Sequence, residues 1–468
     1  MPNNNTNHNK SLALLTILFF MWGFLTCMND ILIPYLKSVF ELSHFQAMLI
    51  QFAFFSAYFI GSLIYFIISI KHGDPINKIG YQNGIVLGLI ISSVGAFLFY
   101  PAAELVSYGF FLSALFVLAM GFALLQISAN PYVAILGKEE SASSRLNLAQ
   151  GFNSFGTTIA PLIGGFLIFR FFAGNDAVGA DSVKIPYLVF AVVLLLLAVF
   201  MKIVKLPRFT REEQVEKGVG VLKYPHLVFG IVAIFMYVGG EVSIGSIMIS
   251  FFELEEIAGL SKDEGSTYLA FYWGGLMIGR FLGAISLSKM ESLIKKILLM
   301  VGSAIVSFAT ICLAVSLKDD GFNFGQLLPF TVLVFFSFLA FLVGRSLPGR
   351  TLVVFAPIAV SLLISAVCTE GKTAMWSVIG VGLFSSIMWS NIFTLAIAGL
   401  GKYTSQGSSL LVMAIIGGAI LPPVQGAFAD AFGVHLSFVV PIISYLYIAF
   451  YGWKGHVIRQ PVETGNSN

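Results

Sequence analysis

The chain has 468 residues, 57% of them hydrophobic and only 10% charged, and 46 are phenylalanine. A soluble domain is about 25% charged, so this composition excludes a soluble globular protein, a disordered chain, a disulfide-framed secreted module and a nucleic-acid binder. The formal net charge of +3 is too small to indicate a partner.

What remains is a polytopic membrane protein, because apolar runs of about 20 residues recur along most of the chain. The polar start, Met1 to Lys10, is weakly basic and lacks the cleavage pattern of a signal peptide. The run after it is read as the first transmembrane helix. Six spans are expected at roughly 12–35, 45–70, 82–102, 108–136, 146–172 and 186–204. A charged stretch follows, with Arg208, Arg211, Glu212, Glu213, Glu216 and Lys217, and reads as a solvated linker. Eight more runs follow at roughly 227–251, 267–287, 293–316, 327–344, 351–368, 373–399, 407–428 and 434–453, so 14 helices are expected. With a cytoplasmic N-terminus and every run crossing, the inner segments hold 19 lysines and arginines and the outer segments 5. That asymmetry puts both termini on the cytoplasmic side. Cys27, Cys312 and Cys368 have no metal-ligand spacing and read as packing residues.

The two halves repeat each other. Gly156, Pro161 and Gly165 share the spacing Gly-x4-Pro-x3-Gly with Gly417, Pro422 and Gly426. Each set follows a Gly-Lys pair, Gly137-Lys138 and Gly401-Lys402. Each pair ends a run holding an asparagine before aromatic residues, Asn130-Pro131-Tyr132 and Asn391-Ile392-Phe393. Upstream, the segment ending in Gly61 resembles the one ending in Gly279. Gly61 and Asn130 are 69 residues apart, whereas Gly279 and Asn391 are 112 apart. The excess is two helices' worth of chain. The architecture implied is all-α: two pseudo-symmetric six-helix bundles plus an inserted two-helix hairpin, with a substrate site between the bundles. The expected boundaries are a tail at 1–10, a bundle at 11–204, a linker at 205–225, a second bundle at 226–454 with the extra helices within about 293–345, and a tail at 455–468.

Among the 23 acids, only Asp30 and Glu241 sit deep in apolar runs. A carboxylate in hydrocarbon is costly, so such residues face a cavity or a partner. Both are expected to face one central cavity, from equivalent helices. The alternative is a salt bridge to a basic helix residue. No lysine or arginine is expected at that depth, since Arg280 reads as lying near the inner face. Gln126 and Asn130 share one helix face, as do Gln150, Asn153 and Thr157. Gln51, Asn391 and Gln425 stand alone in apolar runs. An amide offers donors and an acceptor together, which suits sugar hydroxyls; the alternative is interhelical hydrogen bonding. Trp273 and Trp389 lie well inside spans, where an indole can stack on a pyranose or simply pack. No catalytic or metal motif stands out, and the chain is not expected to be an enzyme.

The chain resembles the fucose–galactose–glucose:cation symporters of the major facilitator superfamily, among them the bacterial glucose/galactose transporters. The matching stretches include Asn29-Asp30-Ile31-Leu32-Ile33-Pro34, Asn130-Pro131-Tyr132-Val133, Leu146 through Gly156, Tyr237-Val238-Gly239-Gly240-Glu241, Gly279-Arg280-Phe281-Leu282-Gly283, and Gly407 through Gly426. The resemblance implies the major facilitator fold and a carrier that imports a hexose, glucose or galactose, by cation symport with alternating access. It implies a coupling role for Asp30 and sugar contacts at Gln150 and Asn153; on the residues themselves, Asn29 and Gln126 offer side-chain oxygens as further ion ligands beside Asp30. Gln126 stands where the proton-coupled fucose permeases carry a glutamate. Glu241 stands where they carry a glutamine. Those departures argue against a copied proton mechanism, and resemblance to the glucose/galactose branch, which includes sodium-driven members, implies Na+ rather than H+ as the co-transported ion, with Asp30 as its ligand. The segment from Lys71 to Gly80 is a loose match to the superfamily's gating motif. The expected setting is a bacterial inner membrane, with lipid around a monomer. A passive sugar facilitator and an H+-coupled fucose-type symporter are the alternatives.

Overall fold

The computed structural model describes residues 4–42, 44–166, 180–204, 206–207, 218–318 and 322–458. The first half contains α1 (Asn4–Val39), α2 (His44–His72), the short α3 (Pro75–Ile79), α4 (Tyr81–Phe97), α5 (Phe99–Glu104), α6 (Tyr108–Ile135), α7 (Ala142–Phe166) and α8 (Lys184–Ile203). The second contains α9 (Pro225–Glu253), α10 (Lys262–Ser286), α11 (Leu293–Lys318), α12 (Leu328–Gly344), α13 (Pro348–Cys368), α14 (Gly371–Ser385), α15 (Met388–Ile397), α16 (Thr404–Met413), α17 (Gly417–Phe432) and α18 (Val439–Phe450). Most of the expected linker lies outside the described residues.

The helices are apolar on both faces. In α8, Tyr187, Phe190, Leu194, Ala198 and Met201 face inward, while Val192, Leu195, Leu196, Val199 and Ile203 are exposed. A helix with an apolar outer face needs hydrocarbon around it. Thirteen helical segments among the described residues are long and apolar enough to cross a membrane. The fourteenth expected run corresponds to α7, whose Ser143, Ser144, Arg145, Asn147, Gln150, Asn153 and Ser154 lower its apolar character; residues 167–179 lie outside the described set. Breaks within spans have local causes. Pro101 cannot donate to the Phe97 carbonyl, and α4 gives way to α5 at Leu98.

The packing repeats between halves. α1 lies on α7, α2 on α6, and α4 on α6 and α8. Correspondingly, α9 lies on α17, α10 on α14, and α13 on α14 and α18. α11 and α12 have no counterpart in the first half, so the inserted pair occupies 293–344. α11 packs on α10 through Ile311 over Gly274, while Leu298, Ile305, Val306 and Leu313 face outward.

The glycine repeat has a steric origin. A Cβ on Gly156 would lie 2.3 Å from the Phe20 carbonyl oxygen of α1, and one on Gly417 would lie 2.1 Å from the Phe235 carbonyl oxygen of α9. Gly23 on α1 has the reciprocal contact, 2.1 Å from the Asn153 carbonyl oxygen. Small residues here let backbones touch where no hydrophobic force drives helices together. Gly23→Val is therefore expected to push α1 off α7, with loss of the monodisperse species in detergent size-exclusion chromatography; an unchanged profile would contradict this packing.

Candidate functional site

The halves meet along a polar ladder at the end where α8 stops and α9 starts, here termed the linker end. Asn77 Nδ2 donates to the Lys402 carbonyl at 3.1 Å, and Ser405 Oγ donates to Tyr81 Oη at 3.1 Å. Pro131 has no N–H, which leaves the Ile127 carbonyl without its helical donor. Ser408 Oγ of α16 donates to it at 3.2 Å. On α7, Ser143, Asn147, Gln150, Ser154 and Thr158 recur at helical spacing and share one face. Ser143 pairs with Thr394 at 2.5 Å, Asn147 Nδ2 donates to Asn391 Oδ1 at 3.2 Å, and Thr158 Oγ1 approaches Met277 Sδ at 3.7 Å.

Arg280 of α10 sits on this ladder. Its Nη1 donates to Ser154 Oγ at 2.5 Å, across the boundary, and its Nε donates to the Ser386 carbonyl at 3.3 Å in the break between α14 and α15. Its Nη2 lies 3.5 Å from Glu241 Oε1. The same carboxylate oxygen accepts from Tyr237 Oη at 2.9 Å, and Tyr272 Oη donates to the Glu241 backbone carbonyl at 3.0 Å. This corrects the expectation that no basic residue reaches Glu241. Arg280 lies six residues before the end of α10, deep enough to pair. Burying either charge alone would be strongly unfavourable, whereas the pair with its hydroxyl partners is tolerated.

The other expected residues divide into two groups. Gln126 and Asn130 are buried on α6, with Asn130 Nδ2 3.5 Å from Gln126 Oε1. Gln126 adjoins Tyr58, whose hydroxyl accepts from Trp22 Nε1 at 3.3 Å. Gln150 stands between Asn147 and Ser154 on the ladder, with its Nε2 buried and unbonded. Asn153 Nδ2 donates to the Phe19 carbonyl of α1 at 3.1 Å. Gln51 is half-buried on α2, one turn from Phe55, which abuts Gly418 of α17. Trp273, Met277 and Arg280 share a face of α10, and Trp273 is half exposed over Gly245. These residues line or adjoin the boundary between halves.

Three do not behave as expected. Asn391 is held by Asn147 and by the Pro348 carbonyl at 3.4 Å, so it locks the linker end instead of facing an opening. Gln425 Nε2 bonds Ser437 Oγ at 3.3 Å inside the second half. Trp389 is buried and stacked on Phe393 at 6.0 Å, with its indole N–H unbonded. Asn29 and Asp30 lie in α1, and their side chains are outside the described set. The equivalent contacts at Phe20 and Phe235 put Glu241 level with Thr26, not with Asp30, which lies four residues further from the linker end. The acids thus stand on equivalent helices at different depths, about 6 Å apart along the axis.

The Major Facilitator Superfamily model matches residues 12–347. The chain belongs to the major facilitator superfamily. It is 43% identical to the glucose/galactose transporter of Brucella abortus biovar 1 (strain 9-941), over 97% of this chain and 98% of that protein. It is 31% identical to the L-fucose-proton symporter of Escherichia coli (strain K12), over 90% of this chain and 87% of that protein. The solved structure of FucP, a major facilitator transporter in the outward conformation, matches with a TM-score of 0.73 at 29% identity, covering 96% of this chain and 99% of that one. The fold and relatives are those of transporters, not enzymes.

A buried acid that the sequence analysis did not single out, Asp74, stands in the loop between α2 and α3, within the segment Lys71 to Gly80. Asp74 Oδ1 accepts from Tyr65 Oη at 2.5 Å and from the Ile76 amide at 2.9 Å, capping α3. Its Oδ2 is buried without a hydrogen bond, beside the backbone of Gln406 at the start of α16. The signal was an aspartate before a proline, an N-cap pattern. Burial at this boundary pushes the Asp74 carboxyl above the usual carboxylate range. An acid whose pKa is raised in the closed arrangement stabilises that arrangement when protonated. That contribution is complete below the ordinary carboxylate pKa of about 4 and is lost as pH rises through the raised value. Asp74→Asn should flatten the pH dependence of linker-end accessibility, measured by labelling a cysteine introduced at Ser408. A pH profile identical to the parent's would contradict it.

Proposed function

We propose that the chain imports a hexose, glucose or galactose, together with a monovalent cation, by alternately exposing a site between its halves. The observation that carries the reading is the polar cluster at that boundary in an otherwise apolar chain. There, Glu241 uses only Oε1 in its described contacts, leaving Oε2 for a ligand hydroxyl. Gln150 adds an amide N–H with no protein acceptor. Carboxylate and amide together suit alternating sugar hydroxyls, and Trp273 provides an aromatic face. The name of the Brucella relative agrees with a hexose.

Asp30 is the proposed coupling residue, with Asn29 and Gln126 as further ligands. Ion binding would neutralise it and make reorientation inexpensive, because a bare carboxylate resists closure in a low-dielectric setting. Sodium is favoured because Asn29 and Gln126 would offer neutral oxygens beside the Asp30 carboxylate, a set that suits a cation rather than a lone proton. Similarity to an L-fucose-proton symporter supports a second reading, with H+ as the ion. The units that rock are taken as 11–204 and 226–454, with the linker end cytoplasmic in a bacterial inner membrane, and the protein acts as a monomer. The arrangement described, closed at the linker end, would then be outward-facing. Uptake of labelled glucose, galactose and fucose into proteoliposomes, under separate sodium and proton gradients, tests the substrate, the ion and the coupling. Glucose or galactose concentrated under a sodium gradient alone is expected. Accumulation under a proton gradient alone would favour the second reading, and uptake that never exceeds equilibrium would leave a passive facilitator.

A further inference from the structure

We propose that Arg280 is a positioning residue that sets the Glu241 carboxylate for a sugar hydroxyl and ties that setting to closure of the linker end through Ser154. This deepens the hexose reading above and rests on it. Each guanidinium nitrogen has a different task. Nη1 reaches Ser154 on the first half at 2.5 Å, Nε reaches the Ser386 carbonyl at 3.3 Å, and Nη2 lies 3.5 Å from both Glu241 Oε1 and Tyr237 Oη. The planar fork spreads its donors over three nitrogens and so reaches three separated acceptors, whereas a lysine carries its three donors on a single nitrogen.

Ser154 alone among these partners belongs to the first half. It lies on the α7 stripe whose lower rungs, Ser143 with Thr394 and Asn147 with Asn391, bridge the halves in this closed arrangement. Opening that end removes Ser154 from Arg280. The guanidinium then retains only second-half acceptors and turns more fully onto Glu241, competing with any ligand hydroxyl for the carboxylate. The site thus binds sugar more tightly when closed at the linker end and releases it when open there. Transport requires such a difference in contacts between the two states.

Ser154→Ala removes the cross-boundary acceptor and leaves the ion pair in place. The reporter is Ser408→Cys, made with Cys27, Cys312 and Cys368 changed to alanine, because Ser408 is fully buried against the Ile127 carbonyl in the closed state. Without sugar, Ser154→Ala should raise its labelling rate with a permeant maleimide about tenfold, the equivalent of one charge-assisted hydrogen bond. In proteoliposomes with native cysteines, the same substitution should raise the KM for external glucose severalfold with the maximal rate retained, because a guanidinium freed from Ser154 turns onto Glu241 even in the closed state and competes with the sugar hydroxyl. Ser154→Thr, which keeps the hydroxyl, should restore both. Unchanged labelling in Ser154→Ala would overturn the proposal, as would faster labelling with an unchanged KM. No hexose uptake by the parental protein would instead overturn the reading on which it rests.

Discussion

Replacing Arg280 by alanine is expected to reduce hexose uptake by about 100-fold or more, and to destabilise the protein more than removing both members of its ion pair. The guanidinium lies 3.5 Å from Glu241, and the two side chains are each only 12% exposed between α9 and α10. Its removal leaves an anion inside the membrane with only Tyr237 and water as partners, a loss of about 3–5 kcal/mol for a buried pair. Glu241→Gln with Arg280→Gln leaves two neutral amides of similar size and no uncompensated charge. The double variant should recover most of the thermal stability measured by fluorescence-detected size-exclusion chromatography. It should not recover uptake, because the carboxylate offered to the sugar is gone. A double variant no more stable than Arg280→Ala would mean that the pair contributes nothing by compensation. A double variant with normal uptake would remove Glu241 from the site.

Asp30→Asn is expected to abolish concentrative uptake while leaving counterflow within a few-fold of the parent. Asp30 occupies α1 four residues beyond Thr26 and at the level of Gly245, over which Trp273 lies. Asparagine has nearly the same volume and can still bond, but carries no charge to attract or be neutralised by a cation. The empty carrier and the sugar-loaded carrier then both reorient without an ion, so exchange continues and accumulation ends at equilibrium. Steady-state accumulation and counterflow, measured on the same vesicles, separate the two. Accumulation at the parental level would exclude Asp30 as the coupling residue. Loss of counterflow as well would place Asp30 in sugar binding.

Much of the architecture was legible from the chain because the terms that determine it act on single residues. The inserted pair was expected within about 293–345 and occupies α11 and α12, Leu293–Lys318 and Leu328–Gly344. The glycine spacing pointed to equivalent helices, and the structure gives the reason, since Gly156 and Gly417 each meet a phenylalanine carbonyl on the partner helix. Arg280 was misread because its depth was judged from position along one apolar run. Whether it reaches Glu241 depends on how α9 and α10 are rotated against each other. Asn391 and Gln425 were indistinguishable by type from Gln126 and Gln150. Their partners, Asn147 and Ser437, decide their roles.

The amino-acid order by itself determined that the chain crosses a membrane many times and that its halves are related. Exclusion of polar groups from hydrocarbon is felt residue by residue and accumulates along a segment. Only the tertiary structure decided which polar side chains meet across the boundary, and that the acid on α9 has a cation beside it. Hydrogen bonds and close ion pairs depend on separations of a few ångströms between segments distant in the chain, and rotating one helix by a single residue position exchanges one partner for another.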